Sequence, residues 1–66
     1  MSILKVIEIL AESEKSWEEA TKNAVEKASE TVKNIRSVYV KEQSATVSGG
    51  KVEKFRVNVK VTFEVK

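Results

Sequence analysis

The chain has no cysteine, no histidine and no proline, and its only two glycines, Gly49 and Gly50, are adjacent. The missing cysteine excludes disulfides, thiolate metal sites and thiol nucleophiles. The missing histidine excludes a Ser-His-Asp triad, a His-paired nucleophile and imidazole-ligated zinc. No tract is rich in glycine or proline, so no linker or low-complexity segment divides residues 1–66, and a single domain is expected. No stretch approaches the ~18 apolar residues of a membrane span. The opening Met1-Ser2-Ile3-Leu4-Lys5 lacks the charged lead and small-residue cleavage site of a signal peptide, so a cytoplasmic location is expected.

Sixty-six residues are few for a stable core. Ordering them costs roughly 1.5 kcal/mol each, about 100 kcal/mol in all. The usual aids at this size are disulfides, a structural metal or oligomerisation, and oligomerisation is the one left standing. Twelve basic and ten acidic residues give a formal charge of +2, with the signs interspersed. A nucleic-acid partner, which needs a concentrated basic face, is not expected.

Residues 3–10 are apolar and largely β-branched. Lys5 and Glu8 fall on opposite parities, so both faces of this strand carry apolar side chains and both expect cover. A polar stretch from Ala11 to Lys15 leads to Ser16 and Glu19, the spacing of a capping box. Trp17, Ala20, Ala24, Ala28, Val32 and Ile35 then recur at three- and four-residue intervals, a narrow stripe that predicts a helix over 16–34. Glu18 and Glu19 in its first turn and Lys33 in its last suit the helix dipole, and Glu18 with Lys22 forms an i,i+4 pair on the solvent side. From Arg36 the period becomes two, placing Arg36, Val38, Val40 and Glu42 on one face and Ser37, Tyr39, Lys41 and Gln43 on the other. Gly49-Gly50 marks a tight hairpin. The last strand has Phe55, Val57, Val59, Val61, Phe63 and Val65 at every odd position and polar residues at the even ones.

The elements specify an α+β fold: one β-α-β-β domain with a three-stranded antiparallel sheet packed on one helix, the first strand lying beside the last. A strand of eleven residues spans roughly 36 Å and a nineteen-residue helix about 28 Å. The hairpin therefore overhangs its helix and leaves apolar surface for other copies.

No side chain carries a strong catalytic signal. Trp17, on the apolar stripe, reads as packing against the sheet end rather than ligand stacking. Ser48-Gly49-Gly50-Lys51 lacks the leading glycine, the Ser/Thr after lysine and the helix of a phosphate loop. Glu18 and Glu19 point apart on a helix and form no acid/base pair. Glu8, Glu42, Glu53 and Glu64 are dispersed; each reads as solvated or salt-bridged unless a symmetry axis joins copies around a cation. The even-numbered Arg56, Asn58 and Lys60 line either a solvated sheet face or an intersubunit pocket, and alternation leaves both open. With no activated nucleophile or tuned base, an enzyme is not expected.

Across its whole length the chain resembles the dodecins. The resemblance rests on the β-α-β-β order, the opening KVIEIL, the helix SWEEATKNAVEKA, the strand VYVKEQ and the ending from Phe55 to Val65. It implies a hollow homododecamer that binds and stores a small planar ligand, most of all a flavin (riboflavin, FMN or FAD), without catalysis. The alternative it implies is a calcium-dodecin-like shell that holds cations or another metabolite. In flavin-binding dodecins, tryptophans from two subunits sandwich the rings and a last-strand glutamine bonds them. The tryptophan position aligns with Ser37 and the glutamine position with Arg56, arginine being what calcium dodecins carry there. Tyr39 lies two residues beyond Ser37, about 6.6 Å along the same strand face. The resemblance thus implies an intersubunit cleft lined by Ser37, Tyr39 and Arg56, with Glu42 and Gln43 further along.

Overall fold

In the computed structural model, which describes residues 2–66, the hairpin forms where the glycines placed it. Gly49 and Gly50 have φ of 59° and 77°, the two positive values that a two-residue type I′ turn requires. Ser48 and Lys51 pair across it, joining β2 (Ile35–Ser48) to β3 (Lys51–Val65). On the other side of β3 lies β1 (Ile3–Ser13), giving an antiparallel sheet of order β1-β3-β2. The helix α1 (Trp17–Ala28) packs across one face. The β-α-β-β fold read from the sequence is the fold of the protein. Among the described residues no helix is long and apolar enough to cross a membrane.

Alternation in β3 decides where the core sits. Val57, Val59 and Val61 are fully buried and meet Ala20 and Ala24 of the helix; the small alanine side chains let the helix axis come close to the sheet. Ile7, Ile9, Ala11, Trp17, Ile35 and Val40 pack around this centre. The helix opens at Ser16, whose Oγ accepts the Glu19 N–H at 3.0 Å, and Glu18 pairs with Lys22 at 3.7 Å. Trp17 presents itself edge-on to Phe55, centroids 4.9 Å apart, and donates its indole N–H to the Ser44 carbonyl at 2.8 Å. It is a packing residue with its polar atom satisfied.

Two elements differ in length from their sequence reading. β1 continues through Ala11 to Ser13, which pairs with Phe55, because Ala11 faces the core and the Ser13 Oγ accepts the Lys15 N–H at 3.0 Å. The helix ends at Ala28, not at 34. There the Ser29 hydroxyl donates back to the Glu26 carbonyl at 2.7 Å, and the bonds tighten to three-residue spacing at Glu30 and Thr31. Hydroxyl side chains that bond the local backbone favour such ends. Asn34 then takes a left-handed φ of 62° and its carbonyl accepts the Glu64 N–H at 3.0 Å. Ile35, at helical spacing from the stripe, instead pairs with Phe63 in the sheet. The cation in the last turn is accordingly Lys27, not Lys33.

A twelve-residue helix covers only about 18 Å, against about 50 Å for β3. The chain measures 51 × 19 × 13 Å. Its accessible surface is 4849 Å², where a compact monomer of this mass has about 4,200 Å². Its radius of gyration of 13.5 Å exceeds the ~11 Å of a compact chain of this length. The overhang is thus larger than the sequence lengths suggested. Leu4, Val6 and Leu10 stand exposed, as do Val47 and Val52, which pair near the hairpin tip. Because Ala24 sits directly between helix and sheet, Ala24→Leu is expected to cost about 1–3 kcal/mol by overpacking. Comparative thermal and urea denaturation checks this; a variant as stable as the wild type would contradict the close helix approach.

Candidate functional site

The face turned away from the helix is built from the even positions of β3 and their cross-strand partners. Residues directly opposite in an antiparallel ladder share a face, so the register fixes a grid. Glu12 lies beside Arg56 and Ser44, Leu10 beside Asn58 and Glu42, Glu8 beside Lys60 and Tyr39, and Val6 beside Thr62 and Ser37. Tyr39 is 65% exposed and Leu10 61%. An aromatic ring and an aliphatic strip therefore border a central row of polar residues.

A bulge at Lys41 changes the expected membership of this face. The register of β2 shifts between Val40 and Glu42, so Tyr39 and Glu42 project to the same side although their parities differ. Glu42 consequently joins Ser37, Tyr39 and Arg56. Gln43 does not: it lies opposite Val57, on the helix side. Strict alternation had put Glu42 and Gln43 the other way round, because it carried no allowance for an inserted residue. Nor does a single chain bring Ser37 to Arg56. Ser37 is level with Thr62, six residues from Arg56, or about 20 Å along the strand. A cleft containing both has to draw on two copies.

Sequence reasoning missed the partners that organise the face. Arg56 donates through Nε and Nη2 to Glu12 Oε2 at 2.9 and 2.6 Å, while Lys54 lies 3.9 Å from the other oxygen. The Arg56 hydrogen bonds hold the Glu12 carboxyl below its ordinary value of 4.5. Glu8 is lowered likewise, first by the Asn58 amide and then by Lys41, whose Nζ reaches across the sheet to 3.6 Å. Arg36, at a second bulge of β2, binds Glu64 through Nε and Nη2 at 3.1 and 2.8 Å. Glu12 was hidden from the sequence because it falls beyond the expected end of the first strand. Among the described residues, no group of three or more carboxylates is placed to hold a metal within one chain.

A family model described as Dodecin matches residues 3–66. The chain belongs to the dodecin family. This dodecin is 40% identical over 67 residues to the calcium dodecin of Mycobacterium tuberculosis, covering all of this chain and 93% of that protein. The crystal structure of that calcium-chelating immunodominant antigen, described as having a novel calcium-binding site, superposes with a TM-score of 0.85 and 38% identity, covering 98% of this chain and 93% of that one. The tt0972 protein of Thermus thermophilus gives a TM-score of 0.94 at 26% identity, covering 100% and 97% of the two chains. Dodecin from Streptomyces coelicolor gives 0.94 at 25%, covering 98% and 93%.

The side chains of this dodecin meet a flavin's requirements differently from the implied tryptophan and glutamine. Ser37 offers no ring, whereas Tyr39 presents an exposed one level with Lys60. Arg56 is a donor only and is already tied to Glu12. For calcium, which takes six to eight oxygens, Glu8, Glu12 and Glu64 are engaged by cations, leaving Glu42 as the unengaged carboxylate of the grid among the described residues. The fit to a planar ring is thus through Tyr39, and the fit to calcium requires a second copy.

The paired carboxylates set a pH dependence. Both Glu8 and Glu12 are depressed in the folded chain, so their contribution to stability is present above the ordinary value of 4.5 and is lost as pH falls through the depressed values. Melting temperature should therefore fall below about pH 4.5. A Glu8→Gln, Glu12→Gln double variant should melt lower at neutral pH and show a smaller acid-induced drop; an unchanged pH profile would dismiss the pairs as stabilising.

Proposed function

We propose that this dodecin is a non-catalytic binding and storage protein, assembled as a homododecamer, that holds a small planar ligand between open sheet faces of neighbouring copies. The observation that carries this reading is the uncovered face itself. It places the exposed Tyr39 ring and the aliphatic Leu4, Val6 and Leu10 beside a row of hydrogen-bonding residues. An apolar strip and a few convergent polar groups are what a small-molecule site requires once a second copy closes it. A flavin (riboflavin, FMN or FAD) suits the aromatic platform: the ligand ring stacks on Tyr39 and its carbonyl oxygens meet Lys60 and Arg56. The bound flavin would supply redox-active chemistry of its own, and this chain's residues only position and shield it. The acidic groups of the face support a non-catalytic role, because hydrogen bonds from Asn58 to Glu8 and from Arg56 to Glu12 lower both carboxyls further from the neutral range that a general acid or base needs.

A second reading is a cation-holding shell. It draws on the 40% identity to a protein named calcium dodecin and on Glu42, which is left without a cationic partner on the open face. Copies related by symmetry would bring further carboxylate oxygens to it.

Three measurements test these readings. Light scattering at micromolar concentration should give about twelve times the 7.4 kDa chain mass; a folded monomer would overturn the assembly. Fluorescence titration should show riboflavin binding that Tyr39→Ala weakens about tenfold, one stacked aromatic being worth roughly 1–3 kcal/mol. Ser37→Trp with Arg56→Gln should tighten it by a similar factor. Calcium uptake that Glu42→Gln abolishes, with no flavin quenching, would instead establish the second reading.

A further inference from the structure

The ion pairs of the open face leave two charges over. Glu12 is bound by Arg56, with Lys54 beside it, Glu8 by Lys41 and Glu64 by Arg36. Among the described residues, Glu42 meets no cation and Lys60 no carboxylate. Lys60 lies opposite Glu8 in the ladder, but that carboxylate is taken by Lys41 at 3.6 Å and by the Asn58 amide. One free anion and one free cation thus stand on the same face, among the exposed Leu10 and Tyr39.

The register fixes where they are. Glu42 is level with Asn58, and Lys60 is level with Tyr39. The two charges therefore occupy neighbouring strands, about 6.6 Å apart along the sheet and about 4.8 Å across it. A second copy laid face to face can join them. A two-fold axis between the faces, running across the strands at the level of Val59, exchanges the levels of Asn58 and Lys60. Glu42 of each copy then meets the level of Lys60 of the other, one strand over. Packed sheets lie about 10 Å apart, a gap that an extended lysine and a glutamate span together. A two-fold contact is self-complementary, so the pair forms twice.

We infer that Glu42 and Lys60 form reciprocal ion pairs between the open faces of two copies, and that these pairs set the register in which the faces meet. This rests on the reading above, in which neighbouring copies close the face, and adds the residues that align them. Neighbouring registers are disfavoured by like charges. An axis at the level of Asn58 would set Lys60 against Arg56 of the second copy, and one at Lys60 would set the two Lys60 side chains against each other. The axis at Val59 also exchanges the levels of Thr62 and Arg56. It thereby carries Ser37, level with Thr62, toward Arg56 of the other copy, although the two are about 20 Å apart within one chain.

The test is charge reversal in the full chain, read by light scattering and native mass spectrometry. Glu42→Lys and Lys60→Glu each oppose like charges twice at every such axis, so each variant alone should need at least about tenfold more protein than wild type to reach the wild-type mass. Mixed in equal amounts, the two variants should assemble together at the wild-type concentration, because each supplies the charge that the other lacks. The double variant, which inverts the pair in every copy, should also assemble, a readout that stands if a single variant does not fold. Single variants that assemble like wild type, or a mixture or double variant no better than the single ones, would overturn the ion pair and leave the assembly reading in place. A wild type that stays monomeric would overturn both.

Discussion

The structure depends on one contact, the seating of two alanines of α1 against the valines of β3. Ala20 and Ala24 meet Val57, Val59 and Val61 with almost no residual exposure, and Ala28 closes the stripe at the helix end. Small side chains give close approach but little apolar area, about 25 cal/mol for each Å² buried. A core of this kind fixes geometry better than it stabilises. The chain obtains one well-defined layer over a fraction of its length and leaves the rest of its sheet uncovered, which is how a family built on self-assembly can begin from so short a sequence.

The uncovered side is organised electrostatically. Three acidic residues of the open face, Glu8, Glu12 and Glu64, each meet a cation from another strand or bulge. Charges paired in this way can be brought against a second surface at lower desolvation cost than isolated ones. Between the pairs lie Leu4, Val6, Leu10 and the Tyr39 ring, so the face is neither a solvated exterior nor a conventional core. Its polar centre, Asn58, carries the one buried side-chain polar atom left without a partner among the described residues.

Much of this was legible in the residues. The odd-numbered valines of the last strand gave the core face, the two glycines gave the turn, and the alanine spacing gave the helix and its orientation. Three things were not legible. The helix was read too long because Val32 and Ile35 continue its spacing, although sheet pairing at Phe63 outcompetes it. The end of β1 was read too early because Ser13 looks polar and is in fact buried. The bulge at Lys41 was invisible because Lys41, Glu42 and Gln43 are all polar, so no hydrophobic alternation records the extra residue. The candidate site inherits that last error in the placement of Gln43, while Ser37, Tyr39, Glu42 and Arg56 do share a face.

The two insertions in β2 act like shifts of a reading frame. Ile35 faces the helix, Arg36 is inserted, and from there even residues face it as far as Val40; Lys41 is inserted, and odd residues face it again. A side chain's face in this strand is thus set by how many insertions precede it as much as by its own identity. Were Lys41 taken into regular alternation with no residue lost, the distal strand would shift by one step, moving Glu42 and Ser44 toward the helix side and Gln43 and Ala45 onto the open face. Two relatives of this dodecin with the same side chains near the hairpin tip could therefore present opposite chemistry to their neighbours, if one kept the bulge and the other ran straight through it.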